Sequence, residues 1–396
     1  MKNKLGISKN VFVLGLVSFF NDVASEMIYP IVPIFLTSVL QAPASIVGLI
    51  EGIAESTASL LKAFSGWFSD KFKKRKIFIT GGYSLSTFAK LIIGLAKTWP
   101  FVLIGRFIDR FGKGIRTSTR DALIAESSDE ATRGRAFGFH RALDTLGAVI
   151  GPLAAIFLIN FLGDNLRPIF FFAFIPGVIA ILLLIIFVKE KRVETTKTVL
   201  PKFSLKNLSP SFKVFLICSI IFAIGNSSDT FLILKAKSLG LTTTLAILAY
   251  ALFNLFYAVF STPAGILSDK IGPRKLLFVG FILFALIYFL FGINQSSVFI
   301  WPLFIFYGFY MALTEGVGKA YVSLIGEKEM MATSLGVYQM AVGISTFFAS
   351  LIAGLLWTYV DSRMPFIFGG IMAAIAAILF VVLERKNVEQ ISTKSL

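Results

Sequence analysis

The stretch Gly66–Lys76 reads GWFSDKFKKRK, and a second stretch, Gly265–Lys275, reads GILSDKIGPRK. Asp70 and Asp269 lie 199 positions apart in a chain of 396 residues, so the two copies occupy equivalent points of two half-length repeats. A further echo pairs LIAESSDEATRGRAFG, Leu123–Gly138, with LIGEKEMMATSLG, Leu324–Gly336. Self-similarity at a fixed offset marks a duplicated unit. Each copy of the motif is a short charged loop between two long apolar stretches, the pattern of a membrane protein built from two repeated bundles.

Outward from these loops the chain is apolar, with 56% hydrophobic and only 15% charged residues, which excludes the soluble and disordered classes. A helix needs about 20 mostly apolar residues to cross a bilayer. Cutting the sequence at its charged and Pro/Gly-rich breaks gives twelve such segments, near 10–38, 45–69, 77–97, 100–125, 136–160, 166–188, 212–237, 244–268, 275–294, 301–325, 331–359 and 364–384. They predict an all-α membrane protein. The first segment has a short basic start, no small-residue cleavage site and an interrupting pair, Asp22 and Glu26, so it reads as a retained helix and not a signal peptide. The long hydrophilic segment from Lys189 to Lys213 divides the helices six and six. This predicts an N-terminal bundle at 1–188, a linker at 189–212, and a C-terminal bundle at 213–396 with a short tail.

A net charge of +16 invites a nucleic-acid reading, but the placement of the basic residues argues otherwise. Of 38 Lys and Arg residues, 24 fall in one alternating set of loops and ends and five in the other. That bias predicts cytoplasmic termini, with the excess charge meeting anionic lipid headgroups and not nucleic acid. Cys218 is the sole cysteine, which leaves no intramolecular disulfide and no thiolate cluster.

With this repeat and these segments, the chain resembles the major facilitator superfamily over its full length. The superfamily's signature after the second helix runs Gly, two residues, small, Asp, basic, any, Gly, basic, basic. The second copy matches at Gly265, Asp269, Lys270, Gly272 and Arg274 or Lys275; the first keeps Gly66, Asp70, Lys71 and Arg75 and has Lys73 in place of the loop glycine. The resemblance implies two pseudo-symmetric six-helix bundles. It also implies a cavity lined by helices 1, 2, 4 and 5, with helices 3, 6, 9 and 12 towards lipid. Finally, it implies a gating role in which Asp70 and Asp269 meet the positive starts of helices 11 and 5. On helix 4, Arg106 resembles the Arg of the RxxxG pattern of proton antiporters, with Arg110 where that pattern has glycine. On helix 5, GAVIGP, with Gly147, Gly151 and Pro152, resembles their GxxxGP motif; small residues four apart also suit close helix contact in any membrane protein.

Segment 4 is the most charged of the twelve. PFVLIGRFIDRFGKGIRTSTRDALIAE, Pro100–Glu126, carries Arg106, Asp109, Arg110, Lys113, Arg116, Arg120 and Asp121. At 100° per residue these fall within an arc of about 140°. Each charge at the bilayer centre costs roughly 2.5–3.5 kcal/mol on insertion scales, so the stripe must meet acids or a polar cavity. Acids are at hand in Asp22 and Glu26 on helix 1, Glu51 and Glu55 beside Lys62 on helix 2, and Asp144 beside His140 and Arg141 on helix 5; Lys90 lies on helix 3. Seven intramembrane acids face eight bases in this half, which predicts a paired network. The second half offers Asn226, Ser227, Ser228, Asp229, Glu315 and Lys319. Pro30 predicts a kink in helix 1.

These features predict a proton-coupled secondary transporter that exports a small organic solute by rocking two halves about a central site. One or more of Asp22, Glu26 and Glu55 binds the proton, because a carboxyl withdrawn from water favours its protonated form unless a base offsets it. Glu51, Arg106, Asp109, Arg110, Lys113, His140, Arg141, Asp144, Asn226, Asp229, Glu315 and Lys319 are the expected cavity residues. An organic-anion or phosphorylated-metabolite transporter using the Arg and Lys stripe is the first alternative, a cation carrier facing the acids its mirror image, and a lipid flippase or non-transporting sensor the alternative of another class. No phosphate loop, nucleophile elbow or zinc signature occurs, and one histidine makes no metal site, so neither an enzyme nor a cofactor beyond the proton is expected. The expected location is the cytoplasmic membrane, as a monomer in contact with lipid and a small-molecule substrate.

Overall fold

The computed structural model describes residues 8–72, 75–128, 133–163, 165–190, 209–326 and 331–394, apart from the side chains at 63, 66–72, 133–135, 269, 331–333 and 384–394. Among them the chain is all helical, in twelve segments of membrane length. These are α1 (Lys9–Val39), α2 (Ala44–Phe72), α3 (Arg75–Leu95), α4 (Trp99–Glu126), α5 (Arg133–Leu162), α6 (Arg167–Phe187), α7 (Pro210–Ser238), α8 (Thr243–Ile271), α9 (Pro273–Ile293), α10 (Ile300–Ile325), α11 (Met331–Tyr359) and α12 (Met364–Lys394). Eleven are both long and apolar enough to cross a bilayer; α4 has the length but is too charged to qualify by composition. Helices dominate because hydrocarbon offers no partner to a backbone N–H or C=O, which must bond within the segment.

Local chemistry sets the ends and interruptions. Ser8 Oγ accepts from Val11 N at 3.3 Å and starts α1; Ser209 Oγ accepts from Phe212 N at 3.2 Å and starts α7. Helix α1 is regular to Ile28, pauses at Tyr29 and Pro30, resumes at Ile31–Ile34 and ends in a π turn at Phe35–Val39. Pro30 has no N–H for the preceding turn, so the expected kink is present as a break. Helix α7 differs from its sequence expectation: it ends at Gly225 and restarts at Thr230, leaving Asn226–Asp229 outside helix. Gly272 opens α9 at φ +88°, a left-handed conformation that explains the loop glycine of the second motif copy.

Two compact units emerge, one from Met1–Thr198 with Thr242–Ala251, the other from Val199–Leu241 with Leu252–Leu396. In the first, Val11, Leu14, Val17, Ile79, Tyr83, Leu123 and Leu184 form an apolar core; in the second, Phe212, Phe215, Leu276, Leu313, Val317 and Phe380 do the same. Each unit also exposes rows of large apolar side chains. Ile175, Leu182 and Ile186 project from α6, Phe157 and Phe161 from α5, and Val279, Ile282, Leu286 and Ile293 from α9. Faces this apolar suit lipid tails and not water.

Candidate functional site

The charged stripe of α4 lands against α2. Positions 106 and 110 are one turn apart on α4, and 51 and 55 one turn apart on α2, so the two rows meet rung by rung. Arg106 Nε and Nη2 donate to Glu51 Oε1 and Oε2 at 2.9 and 2.6 Å, a two-pronged pair in which both side chains are 1% exposed. Arg110 Nε lies 3.5 Å from Glu55 Oε1 and 3.6 Å from Asp109 Oδ2, and Asp109 also approaches Arg106 Nη1 at 3.7 Å. Both guanidiniums stack near the Tyr29 ring, at 5.5 and 5.7 Å from its centre. Two arginines and three acids thus form a ladder one negative charge in excess, in which Arg106 spends its planar fork on Glu51 while Arg110 meets Glu55 and Asp109 through Nε alone, in looser ion pairs.

Helix α1 meets α5 differently. A Cβ on Gly147 would come within 2.6 Å of Phe19 O and 3.0 Å of Asp22 Cβ; one on Gly151 would come within 2.8 Å of Met27 N and 2.9 Å of Glu26 Cβ. The two glycines of the GAVIGP motif therefore seat the acid-bearing face of α1, one glycine beneath each acid. Glu26 Oε2 accepts from Tyr250 Oη at 2.9 Å, and Tyr250 stacks on Tyr29 at 5.4 Å. Asp22 accepts from Asn21 Nδ2 at 3.1 Å and lies beside Asp144. Neither Asp22 nor Glu26 forms an ion pair with a described residue. Lys113 feels Glu55, Glu26 and Asp22 and likewise forms no ion pair with a described residue.

Towards the other end of α4, Ser86 on α3 serves as a hub. Its hydroxyl donates to Asp109 O at 3.0 Å and accepts from Arg116 Nη1 at 2.6 Å, while its carbonyl accepts from Lys90 Nζ at 3.0 Å. Arg116 also sits over the Tyr83 ring at 4.5 Å. Arg120 reaches Asp121 at 2.9 Å and Ser18 Oγ at 3.2 Å, and Ser18 donates to Asp144 Oδ1 at 2.7 Å. Arg141 holds Asp144 Oδ2 at 2.9 Å. His140 is buried beside Arg120 and Asp144, and its Nε2 has no hydrogen-bond partner among the described residues.

The remaining expected residues spread out. In the second unit Tyr307 Oη donates to Asp229 Oδ1 at 2.6 Å and Asn226 Nδ2 donates to Tyr310 Oη at 3.1 Å. Glu315 and Lys319 are exposed and pair with each other at 3.4 Å. Of the motif loops, the side chains of Asp70, Lys71 and Asp269, with Gly66, lie outside those described. Arg75 binds Glu126 at 2.6 Å and its backbone N–H meets Glu190, tying the start of α3 to the end of α4 and to the segment after α6. Gly265 and Lys270 are exposed and Arg274 is partly buried. Tyr29, Ser86, Tyr250 and the three tyrosines of α9 and α10 escaped the sequence reading. Aromatic and hydroxyl side chains in an apolar helix give no periodic signal, although the Tyr29–Pro30 pair marked the break that exposes Tyr29 to the arginines.

A sequence model described as the Major Facilitator Superfamily matches residues 14–234 and 214–395. The chain is 39% identical over 388 residues to an uncharacterized MFS-type transporter of Methanocaldococcus jannaschii, covering 96% of each chain. It is 27% identical over 293 residues to the multidrug resistance protein MdtG of Salmonella schwarzengrund, covering 70% of this chain and 71% of that one. Among solved structures, a POT family transporter in complex with 5-aminolevulinic acid aligns with a TM-score of 0.83 at 14% identity, over 97% of this chain and 98% of that one, a likeness of fold alone.

Proposed function

This chain belongs to the major facilitator superfamily, a family of membrane transporters and not of enzymes, and we propose that it is a proton-coupled exporter of a small organic solute in the cytoplasmic membrane. One observation carries the reading. The intramembrane acids of the first unit divide into those committed to arginine, namely Glu51, Glu55, Asp109, Asp121 and Asp144, and the α1 pair Asp22 and Glu26, which the glycines of α5 hold in place without an ion-pair partner among the described residues. A carboxylate ion-paired with a buried guanidinium cannot take up a proton without leaving that arginine's charge less compensated. One held by a tyrosine hydroxyl, as Glu26 is by Tyr250, can gain or lose a proton with both states still hydrogen-bonded. Glu55, grouped with this pair on sequence, therefore takes the structural role of partner to Arg110, and the coupling proton is carried by Asp22 and Glu26 acting as a pair.

Efflux is supported by the GAVIGP motif and by the likeness to a protein named for multidrug resistance. Alternating access lets Asp22 and Glu26 exchange protons with one side and meet the solute from the other. The anion reading loses ground because Arg106 and Arg110 would have to abandon carboxylates to grip a substrate, leaving Lys113 and the buried Arg116 as the bases of that stripe without a carboxylate partner among the described residues. The test is transport in proteoliposomes under an imposed pH gradient. Asp22→Asn and Glu26→Gln should each abolish or blunt gradient-driven flux, whereas persistence of full, pH-dependent flux in both would remove the proposal. Binding of phosphate esters that disappears in Lys113→Ala would favour the anion reading instead.

A further inference from the structure

The break in α7 lies in the second unit, which contributes neither Asp22 nor Glu26. Asn226–Asp229 leave helix in the middle of a segment, Pro210–Ser238, that is otherwise apolar enough to span the bilayer. Irregular backbone at that depth persists only where protein, water or an ion satisfies its polar groups. The C-terminal end of the first half-helix, at Gly225, directs partial negative charge into the break, and Asp229, at the start of the second, offsets the partial positive charge of that helix's N-terminus.

The side chains at the break are rich in oxygen, among them one carboxylate and one buried amide oxygen that can only accept. Asp229 brings a carboxylate, met on one oxygen by Tyr307. Asn226 uses its amide N–H on Tyr310, so its Oδ1, an obligate acceptor, points elsewhere; that atom is buried with no hydrogen-bond partner. Ser227 and Tyr288, 5% and 0% exposed, are neighbours whose hydroxyls lie within reach of one another, short of a well-aligned hydrogen bond. Buried polar atoms in native proteins are nearly always satisfied, so an acceptor-only oxygen without a donor, Asn226 Oδ1, beside one carboxylate marks a place where something positive belongs. An arrangement of hard oxygens without histidine or thiolate suits an alkali or alkaline-earth ion over a transition metal. A single carboxylate balances one positive charge, not two.

We propose that the break in α7 binds a monovalent metal cation of the sodium class, held by Asp229, Asn226 Oδ1, Ser227 Oγ and carbonyls of the unwound turn, with Tyr288 completing the shell. The second bundle then carries an ion site of its own, separate from the carboxyl pair on α1. Half-helix ends and unwound carbonyls are the means by which other transporter folds hold such ions.

The experiment is radiolabelled sodium binding to the purified full-length protein, with thermal stability followed in sodium, lithium, potassium or choline chloride at constant ionic strength. Saturable binding and stabilisation by a metal cation over choline are expected. Affinity should fall at least about tenfold in Asp229→Asn and in Ser227→Ala, the latter a mild change that keeps the fold. Asp361→Asn, an exposed acid of the same unit, should bind as the parent does. Equal stability in choline and all three metal chlorides would overturn the proposal and leave the break filled by water. Stabilisation by acid alone, or sodium binding unchanged in both Asp229→Asn and Ser227→Ala, would overturn it equally.

Discussion

Removing Glu51 should strand Arg106. The pair is two-pronged at 2.6 and 2.9 Å with both side chains 1% exposed, so Glu51→Ala leaves a guanidinium that water cannot reach. Breaking a buried pair from one side costs about 3–5 kcal/mol. Asp109 remains 3.7 Å from Arg106 Nη1 and recovers part of that, which places the expected loss near the lower bound, about 3 kcal/mol. A bundle of this size loses roughly 2–4 °C per kcal/mol, so the melting temperature of the purified protein should fall by about 6–12 °C. Scans must share one heating rate, since membrane bundles seldom unfold reversibly. The double variant Glu51→Leu with Arg106→Met should recover most of the loss, because an apolar pair of similar volume replaces a buried ion pair at little cost. An unchanged melting temperature in Glu51→Ala, or a double variant worse than the sum of its singles, would refute this reasoning.

Gly151→Ala drives a Cβ to within 2.8 Å of Met27 N and 2.9 Å of Val23 O, both backbone atoms, so α1 and α5 must part; about 1–3 kcal/mol of stability should go, along with transport activity. Gly138→Ala on the same helix meets nothing within 4 Å and serves as the silent control in the same melts. Ser86→Ala removes a hydroxyl that both donates to Asp109 O and accepts from Arg116, and should cost about 1–3 kcal/mol in thermal unfolding. Lys319→Ala breaks only the exposed pair with Glu315 and should move stability by less than about 0.5 kcal/mol.

The duplicated fold was legible because the motif repeat and the apolar segment lengths are linear signals; periodicity gave each helix its charged face, and the family resemblance, not periodicity, implied that α1, α2, α4 and α5 gather together. What periodicity could not supply was the sorting of those charges. Glu51 and Glu55 are chemically alike on one face of α2, yet Glu51 is gripped by two nitrogens of Arg106 while Glu55 meets Arg110 more loosely at 3.5 Å. That difference depends on how deeply two helices interlock. Asp22 and Glu26 escaped arginine because the glycines of α5 bring a different helix against them, a geometric effect seen only once α1 and α5 are packed. The α7 break was hidden for another reason: the run Asn226–Asp229 is polar, but polar residues inside an apolar span fit a continuous helix facing a cavity as well as a broken one. Lys90 shows the limit from the other side, since a lone lysine on α3 gave no hint that the Ser86 carbonyl would receive it.

The claim that Asp22 and Glu26 carry the coupling proton meets its most direct test in one comparison within proteoliposomes, using the solute that a stability screen of cationic, zwitterionic and anionic compounds selects. Parent protein should exchange labelled solute across the membrane without a gradient and accumulate it when a pH gradient is imposed. The double variant Asp22→Asn with Glu26→Gln should still exchange solute but no longer accumulate it in response to the gradient. Accumulation by the double variant at the parent's level would contradict the account.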